Sequence, residues 1–143
     1  MARGFRKAIF NGLDIGAALP HHEGVSRILP TIVETSVFAR KAEKLLTADE
    51  HEDLLFYLSA YYAAGDEIPG TGGVRKIRYA TGGRGKSGGV RVIYYFFDEV
   101  NPLLALFLYG KNDQSDLTPK EKKLATSLAG KLKAEAKARR KEQ

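Results

Sequence analysis

The sequence predicts an α+β domain: an antiparallel sheet with two N-terminal helices packed on one face and a C-terminal helix. Three observations carry that expectation. Apolar residues between positions 37 and 62 recur at three- and four-residue steps, the period of a helix with one buried side. Between 74 and 109 the period changes to β-branched and aromatic runs of strand length, separated by turn residues. Two helix starts, at Thr47 and Thr118, are spelled out as capping boxes.

The elements follow in order. Residues 1–30 hold Gly4, Gly12, Gly16, Pro20, Gly24 and Pro30 without a sustained period, and are expected to be a poorly ordered extension. Thr31-Ile32-Val33-Glu34-Thr35 is β-branched and predicts the first strand. Val37 to Leu46 predicts a short helix with Phe38, Ala42 and Leu45 on one side. Thr47-Ala48-Asp49-Glu50 opens a second helix, carried by Leu54, Leu55, Leu58, Tyr61 and Tyr62 and closed by Gly65. His51, in its acidic first turn, is expected to be exposed. Val74–Tyr79, Val90–Phe97 and Leu103–Tyr109 predict three strands whose short connections suit antiparallel neighbours. Thr118-Pro119-Lys120-Glu121 starts a last helix with Leu124, Leu128 and Leu132 inward. Past Lys133 the apolar stripe stops, so a domain at 31–132 is expected to end in a fraying basic tail, 133–143.

Composition narrows the function. The chain of 143 residues has no cysteine, which excludes disulfide frameworks and thiolate zinc sites. Adjacent His21 and His22 cannot share a helix face, and no metal or cofactor is expected. No apolar run reaches the roughly 18 residues of a spanning helix. The basic start (Arg3, Arg6, Lys7) is followed by Asn11, Gly12 and Asp14, which break the apolar core of an export signal; the protein reads as cytoplasmic.

Charge is segregated. Net charge is +6, with six basic residues and no acid between Ile68 and Phe97, whereas Asp49–Asp53 holds four acids and no base. Such a footprint suits a polyanion, nucleic acid above all. The stretch Ala80–Ser87 matches a relaxed phosphate-loop pattern, but that loop needs a helix to begin at its Lys-Ser, and here Gly88-Gly89 and a strand follow. Nucleotide hydrolysis is therefore excluded.

Alternation along strands puts Val74, Lys76 and Arg78 on one face and Arg75, Ile77 and Tyr79 on the other. On the next strand Arg91, Ile93, Tyr95 and Phe97 oppose Val90, Val92, Tyr94 and Phe96. With helices on one side only, the other face is expected to stay open for binding.

Three segments carry a resemblance: Gly70-Thr71-Gly72-Gly73-Val74-Arg75-Lys76-Ile77-Arg78, Gly89-Val90-Arg91-Val92-Ile93-Tyr94-Tyr95, and Leu108 to Leu117 through Gly110-Lys111-Asn112. In this order, over about residues 31–132, the chain resembles the RelE/ParE toxin superfamily, and within it the HigB-like branch. The resemblance implies a RelE-like fold and the toxin of a bacterial toxin–antitoxin module. It implies a ribosome-dependent endoribonuclease that cleaves mRNA in the ribosomal A site, neutralised by a HigA-like helix-turn-helix antitoxin. It also implies Lys76, Arg78, Arg91 and Lys111 as catalytic residues. Arg75, Lys86, Tyr94, Tyr95, Tyr109 and Asn112 are the expected substrate contacts. Where the best-known pattern has an arginine and, six residues on, a tyrosine, Asn112 and Thr118 stand here; a tyrosine base would have to come from Tyr94, Tyr95 or Tyr109. Two alternatives use the same scaffold: a non-catalytic ParE-like inhibitor of DNA gyrase, and a nucleic-acid-binding regulator without cleavage.

Overall fold

The computed structural model describes residues 5–8 (backbone only), 29–81, 89–110, 113 and 116–141. Its elements are β1 (Phe5–Ala8), β2 (Ile32–Thr35), α1 (Ser36–Leu45), α2 (Ala48–Ala60), β3 (Asp66–Glu67), β4 (Arg75–Tyr79), β5 (Val90–Tyr95), β6 (Leu103–Gly110) and α3 (Pro119–Lys141). The strands form one sheet in the order β1-β2-β6-β5-β4-β3. Consecutive strands β3 to β6 pair antiparallel, and β2, returning through the helices, pairs parallel to β6. The α+β class and RelE-like arrangement are as the sequence predicts. From the first thirty residues one described strand, β1, joins the sheet along β2.

Local chemistry sets the helix starts. Thr35 ends β2 and caps α1: its Oγ1 accepts the Phe38 N–H at 3.0 Å and donates to Leu106 O at 2.7 Å. Both predicted capping boxes close reciprocally, Thr47 with Glu50 and Thr118 with Glu121. Gly65 does not end α2, which stops at Ala60 with Tyr61 as its cap. The glycine is needed for space instead. A Cβ there would lie 2.7 Å from the Tyr94 hydroxyl, which accepts the Gly65 N–H and donates to Tyr62 O.

The sheet is buried on both faces. One face, with Val90, Val92, Tyr94, Leu103 and Ala105, packs on Phe38 and Ala42 of α1 and Leu54 and Leu58 of α2. The other, with Ile93, Tyr95, Leu104, Phe107 and Tyr109, packs on Ala125, Ala129 and Leu132 of α3. The expected alternation along β4 and β5 holds. A bulge opposite Ile93/Tyr94 makes Leu106 the extra residue of β6, so Leu106 and Phe107 both turn toward α3.

The expectation of an open second face is corrected: α3 covers much of it. The sequence hides this because the buried stripe is Ala125, Ala129, Leu132 and Ala136, mostly alanines, while Leu124 is 49% exposed. Small side chains let a helix approach a sheet closely, so burial here runs through the residues a hydrophobicity scan weighs least. Fraying past Lys133 is corrected too. Ala136 is buried, Arg139 donates to Asn101, and Arg140 bonds Asp98 at 2.7 Å and lies over the Phe97 ring.

This tether has a pH consequence. Burial opposes ionisation of Asp98, but bonds from Asn101 and Arg140 outweigh it and hold the carboxyl below its ordinary value. A depressed folded-state pKa contributes stability above the unfolded value that is lost as pH falls through the folded one. Protection of the end of α3 against hydrogen exchange, taken relative to the intrinsic rate at each pH, is therefore expected to fall in acid, below the ordinary carboxylate range. In Asp98→Asn that acid dependence should flatten.

Candidate functional site

Strand register brings the expected cations into one row. Arg78 of β4 faces Arg91 of β5, and Arg91 in turn faces Tyr109 of β6. One step along lie Lys76, Ile93 and Phe107, about 6.6 Å away in the strand direction. Directly opposed residues have Cβ atoms about 5 Å apart, and like charges so placed are unfavourable. Among the described residues neither arginine makes an ion pair. Arg78 is exposed and Arg91 half-buried. Register thus sets two solvent-accessible arginines opposite each other on the sheet, a like-charged pair that a bound oxyanion would relieve.

Lys76 stands differently. Its Nζ is 3.0 Å from the Asp116 carboxylate, and Asp66 is its partner across β3–β4. The acid-free run of the sequence is therefore not acid-free in space. Carboxylates from β3 and from the segment before α3 flank the lysine.

The remaining candidates separate. Arg75 turns to the helix-pair side, where its guanidinium donates to Gly65 O at 2.6 Å and Ala63 O at 3.3 Å, with Glu67 at 3.8 Å. It fastens the α2–β3 connection. Tyr94 is fully buried on that same side, and Tyr95 (3% exposed) and Tyr109 (6%) lie beneath α3. None of the three rings has an open face on which a base could stack. Lys86, Lys111 and Asn112 fall outside the described residues.

Burial also corrects the idea of an acidified tyrosine. Desolvation raises the pKa of Tyr94 despite the Gly65 N–H bond and the Arg75 charge that work against it. Tyr95 is raised by burial and then by Asp98. In Tyr109, burial and then the Glu121 carboxylate push the phenol far up, and its hydroxyl has no well-formed hydrogen bond among the described residues. Near neutral pH all three keep their protons.

Sequence reasoning missed one polar pair. His51 Nε2 lies 2.6 Å from Glu34 Oε1, with side chains 12% and 2% exposed, so the expectation of an exposed His51 is corrected. The signal was available only in part: Glu34 is an acid in a strand with Ile32 on its own face, where a partner from a helix is required.

The molecule is thus a small α+β domain with helices on both faces of its sheet and two accessible arginines in register on β4 and β5. The particular family follows from comparison. The family model described as the RelE toxin of the RelE/RelB toxin–antitoxin system matches residues 31–142. The chain belongs to this family and is the toxin of a toxin–antitoxin system, with an antitoxin as its partner. The match begins where the β-branched pattern of β2 begins and takes in α3. Among the described residues no helix is long and apolar enough to cross a membrane.

Proposed function

We propose that this toxin is a ribosome-dependent mRNA endoribonuclease of the HigB-like branch, acting in the cytoplasm and neutralised by a HigA-like helix-turn-helix antitoxin. The observation that supports it best is the Arg78–Arg91 pair, two cross-strand arginines without an ion-pair partner among the described residues. In the proposed reaction the ribose 2′-oxygen attacks the adjacent phosphorus and the P–O5′ bond breaks. The products are a 2′,3′-cyclic phosphate and a 5′-hydroxyl. One proton leaves the 2′-hydroxyl and one reaches the departing O5′.

Arg91 and Arg78 hold the non-bridging oxygens and balance the charge that grows on them. The three strand tyrosines are buried and poorly placed as bases; Lys111, beside the arginine row in sequence, is the proposed proton carrier, and Lys76, paired with Asp116, is assigned to holding the strand. A buried, prebuilt sheet supplies rigidity, and the ribosome supplies a bent strand with the 2′-oxygen in line.

The test is the salt dependence of binding to a short RNA and to 70S ribosomes, paired with transcript mapping after induction. Log affinity is expected to fall linearly and steeply with log salt, and cuts are expected inside translated codons. A flat salt response, or DNA damage with intact transcripts, would favour the gyrase-directed alternative.

A further inference from the structure

The buried stripe of α3 divides two flanks. Successive residues turn by about 100° around a helix, so Lys122 lies to one side of Ala125, Ala129 and Leu132, and Glu121, Leu124 and Leu128 lie to the other. Lys122 approaches Gly70 and lines the cleft beside β4, so the opposite flank looks toward β2 and the start of α1. A groove of about 300 Å³ opens there, lined by Val37 and Lys41 of α1, Phe107 and Tyr109 of β6, Asp113 and Glu121. Half-buried Val33 of β2 and Leu128 pack on the same core cluster and carry the apolar lining on from it.

Among the described residues three large apolar side chains are exposed, and two of them, Val37 (47%) and Leu124 (49%), stand on the two walls of this groove. The third, Val100, is 90% exposed in the β5–β6 connection, at the other end of β6. Apolar residues scattered singly over a surface need no partner, but a pair facing across a groove marks one. From Glu121 to Leu128 the helix rises about 10 Å, two turns, which matches the anchors that one amphipathic helix presents at three-, four- and seven-residue steps. Charge sets the kind of helix. Lys41 and Lys44 follow Val37 along α1, and Lys120 and Lys131 border Leu124 on α3. Asp113, held by Lys41 at 3.1 Å, and Glu121 are the acids between them. The rims are therefore basic on balance, and acidic flanks on the occupant complement them. A nucleic-acid backbone would meet the lysines but leave the apolar walls uncovered.

We infer that the antitoxin seats an amphipathic helix with acidic flanks in this groove between α1 and α3. One end of the groove reaches Tyr109, the cross-strand partner of Arg91, so a seated helix stands beside the arginine row and shields it without having to bind the arginines. The inference rests on membership of the toxin family and not on the nuclease reading.

The test is the affinity of the purified full chain for its cognate antitoxin, measured by calorimetry for the parent and for Val37→Glu, Leu124→Glu and Val100→Glu. All three positions are exposed, so melting curves and growth arrest by the toxin alone are expected to stay as in the parent. Leu124→Glu and Val37→Glu should each weaken antitoxin binding by about 100-fold, the scale of losing a central interface anchor, and co-expressed antitoxin should no longer rescue growth. Val100→Glu should bind as the parent does. Parent-like affinity in the two groove variants would overturn the inference, and so would an equal loss in Val100→Glu. Groove variants that split a toxin dimer, or weaken binding to 70S ribosomes, while the antitoxin still binds would give the groove to a second copy or to the ribosome and overturn it as well. Lost antitoxin binding in a toxin that leaves transcripts intact would sink the nuclease reading and leave the groove.

Discussion

Replacing Arg91 with alanine is expected to lower the cleavage rate by roughly 10²–10³-fold, the typical cost of removing one preorganised donor to a developing oxyanion. Arg91 lies between Arg78 and Tyr109 in a paired row and is half-buried. Little stability should be lost, because the substitution also relieves a like-charged cross-strand pair. Growth arrest is expected to disappear at equal expression, with an unchanged melting curve and retained antitoxin binding. Growth arrest that survives the substitution would remove Arg91 from the mechanism. Arg91→Lys should recover only part of the rate, since an ammonium replaces a two-pronged fork with a point charge.

The second large effect is on the fold. His51→Ala is expected to destabilise the domain by about 2 kcal/mol, because it takes a hydrogen-bond partner from a buried carboxylate. Glu34 is 1% exposed in the strand beside β6, and the His51 ring, near Phe38, closes over it from α2. Urea unfolding would show a lower midpoint with an unchanged slope. His51→Gln, which can still donate, should recover part of the loss. A midpoint within error of the parent in His51→Ala would mean that the pair adds nothing net.

Much of this architecture was legible in the chain because it is locally encoded. Thr47 with Glu50 and Thr118 with Glu121 are contacts three residues apart, and alternation put Lys76 with Arg78 on one face of β4 and Arg91 with Ile93 on one face of β5, which the register then joins. What escaped is non-local or chemically quiet. Alanines at 125, 129 and 136 carry the packing of α3, yet weigh little in any hydrophobic pattern. Glu34 and His51 are 17 positions apart and in different elements. Asp66 and Asp116 reach Lys76 from opposite directions along the chain, so a run without acids became a lysine between two of them.

The tyrosines illustrate a different limit. Aromatic residues beside cations read as stacking platforms, but the same rings supply the largest buried surface in a small domain. Here burial wins for Tyr94, Tyr95 and Tyr109. The candidate site is leaner than the sequence implied: two arginines in register and a lysine between carboxylates.

The decisive experiment on ribosome-dependent cleavage is a reconstituted translation reaction. The purified toxin would be added to ribosomes stalled with a defined codon in the A site, and mRNA ends would be mapped for the parent and for Arg91→Ala. A cut within that codon leaving a 5′-hydroxyl is expected, dependent on the ribosome and lost in the variant. Intact mRNA with the parent toxin, or equal cutting by the variant, would contradict it.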